Sequence, residues 1–320
     1  HWMVHSFPTR RSSDLLGKLF SKVDMDRNYL ADKIKTYITA RNVLFLFSAI
    51  AALAVTYTFV KTLYSSENSH HYSHIPLIPL ITIYLFFIRR KAIFSTVYFS
   101  LRAGIPVLLV GIILLGCGLI WGPYLDSNNY ASIIALSLFV FINGAFILLY
   151  GFMAYKAAMF PLLFLIFTVP IPTAIMDFLI SFLQSGSAEF TNLLFLVSGI
   201  PFLREGVVFH LPHISVEVAP ECSGIRSALA IFILAVLAGN MFLKTCWKRI
   251  VLAVCAVLIA MFKNGIRILT LSLLANYVDP RVLESSLHRE GGIPFFAVAL
   301  ILLAPVLFLL RKTEKFKDKK

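Results

Sequence analysis

Eight long runs of apolar residues, separated by short polar segments, dominate the sequence. A helix that crosses a membrane needs about 20 predominantly apolar residues, with a range of about 17–25. Hydrophobic residues make up 59% of the chain and charged residues 14%, whereas an ordinary soluble domain has about 45–50% and about 25%. The chain is therefore predicted to be an all-α integral membrane protein. The predicted spans are 43–63, 75–88, 103–121, 131–153, 157–180, 222–243, 250–277 and 293–310.

The fifth of these runs contains three prolines, Pro161, Pro170 and Pro172. Proline removes a helical hydrogen bond and its ring clashes with the preceding turn. This run is therefore predicted to be kinked or broken. The sequence shows no internal repeat, and it predicts one membrane domain.

Lysine and arginine collect on one side when the runs are threaded alternately through a membrane. With a cytoplasmic N-terminus, the inner segments hold 20 Lys and Arg residues and the outer segments hold three. Cytoplasmic loops are rich in these residues, so both termini are predicted to be cytoplasmic. Because the net charge of +13 lies in short clusters between apolar runs, nucleic-acid binding is not expected. The inner segments are 16–42, 89–102, 154–156, 244–249 and 311–320, and the outer ones are 64–74, 122–130, 181–221 and 278–292.

The outer segment 181–221 is the longest connection. Its first part is apolar enough to form an interfacial or re-entrant helix. Its second part alternates apolar and polar residues around Leu211 and Pro212, which predicts a short β-hairpin. Loops longer than about 12–15 residues are usually functional or disordered, and this one is too apolar for disorder. We therefore expect it to cover a site.

Cys222 opens the sixth predicted span from the outer face, and the other three cysteines do not face outward. It is either a small apolar residue packed at a helix start or a nucleophile. A helix N-terminus carries roughly half a positive charge, and Arg226 at i+4 lies on the same face. Both favour ionisation of the thiol, and the thiolate is the reactive form.

Polar residues interrupt the seventh span at Lys263, Asn264 and Arg267. Each charge near the centre of a bilayer costs about 2.5–3.5 kcal/mol. At about 1.5 Å per residue, Arg267 lies roughly 26 Å from the start of its span, near the level of Cys222. Arg267 either reaches lipid phosphates or enters a site, where Asn264 at i−3 would hold its guanidinium. For Lys263 both interpretations stay open.

His288, in the last outer loop, can donate or accept a proton near neutral pH. A thiol, two arginines and a histidine at one membrane depth are the set that a cysteine transpeptidase needs. Cys222 would attack a peptide carbonyl, and His288 would transfer protons. Arg267 would stabilise the tetrahedral oxyanion, a contribution of about 2.7–4 kcal/mol.

No metal site and no cofactor are predicted. The cluster of His70, His71 and His74 is not completed to a zinc-binding set by nearby carboxylates or cysteines.

Six stretches of the chain resemble, in the same order, the exosortase/archaeosortase family of membrane proteins. CSGIRS followed by NxxR and a late histidine is the specific part of this pattern. The stretches are YSHIPLIPLITIYLFFIRR (72–90), FPLLFLIFTVPIP (160–172), GIPFLREG (199–206), EVAPECSGIRS (217–227), NGIRI (264–268) and HREGGIPFF (288–296).

The resemblance implies a membrane cysteine protease-transpeptidase whose catalytic residues correspond to Cys222, Arg267 and His288. Its substrates would be secreted proteins with a C-terminal motif, a transmembrane helix and a basic cluster. The motif is Pro-Glu-Pro in bacterial PEP-CTERM systems, which are associated with exopolysaccharide. The protein would be passed to a surface acceptor, a glycan or a lipid. Supporting roles are expected for Arg226, Asn264, Ser223 and Glu221, and substrate contacts for Arg204 and Glu205.

The same resemblance implies a multi-pass protein of the plasma (inner) membrane with its active site on the extracytoplasmic side. Residues 43–310 would form the exosortase-like domain, between a basic cytoplasmic segment at 16–42 and a basic tail at 311–320. Residues 1–15 are expected to be a non-native leader, because FPTRRSSDL (7–15) is what a sequencing adapter would encode. Lys263 departs from the family pattern, and no additional periplasmic domain is expected.

Two other functions are compatible with the sequence. A multi-pass transporter or flippase for an anionic polysaccharide intermediate would bind its substrate through Arg267 and Lys263, although transporters place polar groups near the midplane and often contain repeats. A non-catalytic assembly factor would keep the fold without using the thiol.

Overall fold

A computed structural model describes residues 41–51, 54, 72–219, 223–279, 281 and 292–317. Helices account for most of these residues. They are α1 Arg41–Ala51, α2 Leu77–Ile93, α3 Leu101–Trp121, α4 Ser127–Phe164, α5 Thr173–Ser198, α6 Ile225–Phe242, α7 Cys246–Tyr277 and α8 Gly292–Lys317. The strands are β1 Leu203–Glu205, β2 Val208–His210 and β3 Ser215–Glu217.

Within the described residues, 5 helical segments are long and apolar enough to cross a membrane. The chain is a multi-pass membrane protein. Helix α2, with 17 residues, is shorter than these segments, and the first predicted span is described only in part. The number of eight membrane spans therefore remains a prediction from the sequence. The five segments are Leu101–Tyr124, Ser127–Thr168, Ile225–Phe242, Cys246–Tyr277 and Pro294–Glu314.

The fourth and fifth predicted spans do not have the predicted boundaries. The expected inner loop at 154–156 is helical, and the chain instead kinks at Gly151, which has φ 85° and ψ 165°. A Cβ atom at this position would lie 2.8 Å from the ring of Tyr98. Glycine is needed there because its backbone conformation is one that L side chains rarely adopt. The sequence analysis did not predict this kink.

The fifth predicted span is broken, and the break lies at its later prolines. Helix α4 continues through Pro161 and ends at Phe164. A 3₁₀ turn, Leu165–Thr168, follows, and α5 begins only at Thr173, directly after Pro172. Polar bonds hold this restart in place, since Nδ2 of Asn128 donates to the carbonyl of Ile171 at 2.8 Å.

The apolar first part of the outer segment is the second half of α5, a single 26-residue helix. Beyond it, β1, β2 and β3 form an antiparallel three-stranded sheet. The alternation around Leu211 predicts two strands there, and the structure adds β1. The sheet packs its apolar face onto α5 and α7. The buried apolar cluster between the sheet and these two helices consists of Ala188, Phe195, Phe209, Leu211, Val218 and Ile268.

Helix α7 is the central element beneath the sheet. It contacts α5, α6 and α8. Its buried residues recur at intervals from its first turn to its last. Because α6 is joined to α7 by a short turn at residues 243–245, the two helices run antiparallel. The start of α6 therefore lies beside the later turns of α7, where the sequence has its polar residues.

Candidate functional site

The predicted site residues that the structure describes lie on three elements. Ser223 and Arg226 are at the start of α6, Asn264 and Arg267 are on α7, and Arg204 and Glu205 are on β1. Cys222, Glu221 and His288 lie outside the described residues.

The start of α6 rests directly on α7. Gly224 precedes the helix with φ 74° and ψ 17°, the left-handed conformation. A Cβ atom at position 224 would lie 3.0 Å from Oδ1 of Asn264. A side chain would therefore suffer backbone strain and an unusually tight contact with Asn264. Ser223, just before this glycine, is buried.

Asn264 is buried between three helices. Its Nδ2 donates to Oγ of Ser187 on α5 at 3.1 Å, and its other side faces Gly224. Ser187 is itself completely buried. Asn264 thus joins α5, α6 and α7 at one level. The sequence did not predict Ser187, because a serine 77 residues away gives no local signal.

Lys263 is also inside the protein, with 3% of its surface exposed. Its Nζ donates to Oγ of Ser227, on the first turn of α6, at 2.6 Å. The structure therefore decides the question that the sequence left open for this residue. Lys263 is part of the contact between α6 and α7, and it does not reach towards lipid headgroups.

Arg267 lies one turn after Lys263, on the same face of α7. Arg267 is half-buried, and its Nε atom is fully buried. Arg226 is exposed. Among the described residues, ion pairs form only between Arg204 and Glu189 and between His210 and Glu205. Lys263 and Arg267 therefore bring two cationic side chains to the face of α7 beside the start of α6, and such side chains suit a group that becomes negatively charged during a reaction.

Arg204 already has a carboxylate partner. Its two terminal nitrogens donate to Glu189 of α5 at 2.7 and 3.1 Å, and its Nε donates to the carbonyl of Gly206 at 2.8 Å. The bonds from Arg204 to Glu189 and the charge of Arg204 lower the pKa of the Glu189 carboxyl. Arg204 therefore ties β1 to α5, whereas Glu205 is exposed, 3.7 Å from Nε2 of His210.

A cavity of about 470 Å³ lies between α4, the break before α5, and α6. Its walls are mainly apolar and include Ile166, Phe167, Leu229, Phe232 and Ile233. The sequence did not predict this cavity. The prolines that break the fifth span were the available signal, because a break leaves space that a continuous helix would fill.

Within the described parts of the chain, no group of three or more His, Cys, Asp or Glu side chains is arranged to hold a metal ion. His74 lines the apolar cavity. His70 and His71 are outside the described residues, so the predicted lack of a metal site at this cluster is not tested.

Comparison with known proteins finds one family. The sequence model described as transmembrane exosortase matches residues 66–305, which is more than half of the chain. Neither a curated protein nor a solved structure matches the chain.

Proposed function

Because this chain belongs to the transmembrane exosortase family, we propose that it cleaves the C-terminal sorting tail of secreted proteins and transfers them to an acceptor. The family is one of membrane sorting proteases and transpeptidases, and the expected resemblance is thereby confirmed. We also propose that the active site consists of Cys222, Arg267 and His288. It would face the extracytoplasmic side of the plasma (inner) membrane and act on secreted proteins with a C-terminal sorting tail.

The proposed reaction has two steps. In the first, Sγ of Cys222 attacks the carbonyl carbon of the scissile peptide, and the electron pair of the carbonyl moves to its oxygen. Arg267 stabilises this oxyanion. As the carbon–nitrogen bond breaks, His288 protonates the leaving amine, and a thioester remains on the enzyme.

In the second step a nucleophile opens the thioester. A hydroxyl or amine of a surface glycan or lipid gives its proton to His288 and attacks the carbonyl carbon. The carbon–sulfur bond breaks, and the thiolate of Cys222 is regenerated. Water in place of the acceptor gives hydrolysis.

The contact between Gly224 and Asn264 is the observation that carries this proposal. Consecutive Cα atoms are about 3.8 Å apart, so the Cα atom of Cys222 is at most about 7.6 Å from that of Gly224. Arg267 is three residues after Asn264, about 4.5 Å along the axis of α7. Chain continuity therefore supports a thiol close to the guanidinium.

The electrostatic surroundings support the same chemistry. The N-terminus of α6 carries a partial positive charge, and Lys263 and Arg267 add two cations on the facing side of α7. A thiolate and an oxyanion are both negatively charged, and both gain from this arrangement in a site of low dielectric constant.

The buried Lys263 beside Arg267 is the one observation that favours the transporter as a second candidate. Two cations in a membrane protein form a binding site for an anionic saccharide as readily as for an oxyanion. The transporter needs no thiol, however, so the two functions differ in their dependence on Cys222.

The test is the maturation of a tailed substrate co-expressed with the enzyme. Cys222→Ala should leave the protein inserted in the membrane and abolish loss of the tail, as seen by immunoblot. Cys255→Ala, on α7 and half-buried, is the matched control and should process normally. Normal maturation with Cys222→Ala would exclude the enzymatic function and leave the transporter.

A further inference from the structure

The bond between Lys263 and Ser227 joins α7 to the first turn of α6. Oγ of Ser227 accepts from Nζ of Lys263 at 2.6 Å and donates to the carbonyl of Gly224 at 2.9 Å. The same carbonyl accepts from the backbone N–H of Ala228 at 2.9 Å. These hydrogen bonds thus connect the buried ammonium group of Lys263, through the Ser227 hydroxyl, to Gly224, the glycine that contacts Asn264.

A buried ammonium group is an expensive way to hold two helices together. Its desolvation in a membrane is unfavourable, whereas an apolar side chain of the same size has no charge to desolvate. No carboxylate among the described residues forms an ion pair with Lys263. Lys263 lies 17 residues after the first residue of α7, whereas the other buried lysine of this helix, Lys248, lies in its first turn. A charge buried so far from the helix start is better explained by a function at this position than by the stability of the helix pair.

We propose that Lys263 is a positioning residue of the sorting reaction, which acts through Ser227 to fix the turn at Gly224. The inference rests on the proposed function, because this turn immediately follows Cys222 in the chain. In this role Lys263 acts through Ser227 and not directly on the reacting atoms. Its ammonium group orients the Ser227 hydroxyl towards the Gly224 carbonyl and thereby restricts the backbone that carries the thiol. A nucleophile needs this restriction, since a displacement of about 1 Å costs on the order of 10²-fold in rate.

Helix α7 contains its own control for a structural role. Lys248 is buried as well, and its Nζ donates to Oγ1 of Thr313 at 2.9 Å and to the carbonyl of Leu310 at 3.1 Å. It ties α7 to α8 in the same way that Lys263 ties α7 to α6. The two lysines are 15 residues apart, about 22 Å along the helix, so Lys248 is far from the start of α6.

The first experiment is a double-mutant cycle on substrate processing by purified protein in vesicles. Lys263→Met and Ser227→Ala should each lower kcat about tenfold with little change in KM, and the double variant should be no slower than either single one. Ser227→Thr keeps the hydroxyl and should restore processing. Lys248→Met should process at the rate of the unmodified protein.

The second experiment does not depend on the sorting reaction. Cys117, Cys246 and Cys255 are replaced by Ser, and the remaining thiol is alkylated in the absence of substrate. Lys263→Met and Ser227→Ala should slow alkylation by the same factor, because the thiol loses its fixed place at a helix N-terminus, which favours the thiolate. Lys248→Met should have no effect on the rate.

Several results would overturn the inference. Unchanged kcat and alkylation in Lys263→Met would do so, and so would additive losses in the double variant or an equal loss in Lys248→Met. If these results accompany an inactive Cys222→Ala, only the role of Lys263 is wrong. If Cys222→Ala processes normally, the proposed function is wrong and the inference falls with it.

Discussion

Gly224 lies so close to Asn264 that a Cβ atom at position 224 would come within 3.0 Å of the amide oxygen. This close approach sets the distance between α6 and α7 at the level of the predicted site. It also connects two stretches, CSGIRS and NGIRI, that are far apart in the sequence. The site is therefore sensitive to small changes of volume at this contact.

The first prediction concerns Gly224→Ala. The left-handed backbone costs an L residue about 1–2 kcal/mol, and the tight contact with Asn264 should shift the start of α6 slightly against α7 and reduce processing. Gly206→Ala is the matched control, because Gly206 has φ 63° and open space around its missing Cβ atom. It should lower the melting temperature slightly and leave processing intact. Equal losses of processing in both variants would show that strain alone, and not the contact, is responsible.

The second prediction concerns the charge at Arg267. If the guanidinium stabilises the oxyanion, Arg267→Met should lower kcat about 10²- to 10³-fold and leave KM nearly unchanged. Arg249→Met, on the first turn of the same helix, is the control, since Arg249 donates to the carbonyls of Leu243 at 2.9 Å and Lys244 at 3.4 Å, far from the start of α6. A raised KM with normal kcat in Arg267→Met would instead assign Arg267 to binding.

The third prediction concerns pH and the attachment of the sheet to α5. Bonds from Arg204 hold the pKa of Glu189 below its ordinary value of 4.5. The pair therefore stabilises the folded protein above that value, and the stabilisation is lost as the pH falls through the lower pKa of the folded state. The effect is at most about 1 kcal/mol, because the carboxylate is largely exposed.

Melting temperatures measured across this range test the pair. Glu189→Gln should melt lower than the unmodified protein at neutral pH and converge with it in acid. Glu217→Gln, at an exposed position of β3, should follow the unmodified protein at every pH. A constant difference between Glu189→Gln and the unmodified protein would mean that the carboxylate charge does not matter.

The fourth prediction concerns topology. With cytoplasmic termini, a membrane-impermeant maleimide added to intact cells should label Cys222 and not Cys246, which is exposed at the start of α7. Permeabilised cells should show label at Cys246 as well. Labelling of Cys246 from outside would invert the topology and would move the proposed site to the cytoplasmic face.

Local patterns determined much of this architecture. Apolar length predicted that helices cross the membrane, although not the boundary between the fourth and fifth predicted spans. Pro170 and Pro172 predicted the break before α5, because proline acts within a few residues of the chain. The residue types around Cys222 and Arg267 predicted the family, which the match over residues 66–305 confirmed. The identity of the catalytic residues remains a prediction.

Tertiary structure alone decided which of these residues meet. The bonds of Lys263 to Ser227 and of Asn264 to Ser187 join residues 36 and 77 positions apart, and the pairing of Arg204 with Glu189 depends on how the sheet folds back on α5. Such contacts follow from the rotation and height of one helix against another. Packing over the whole surface of both helices sets these quantities, and no short stretch of sequence contains them.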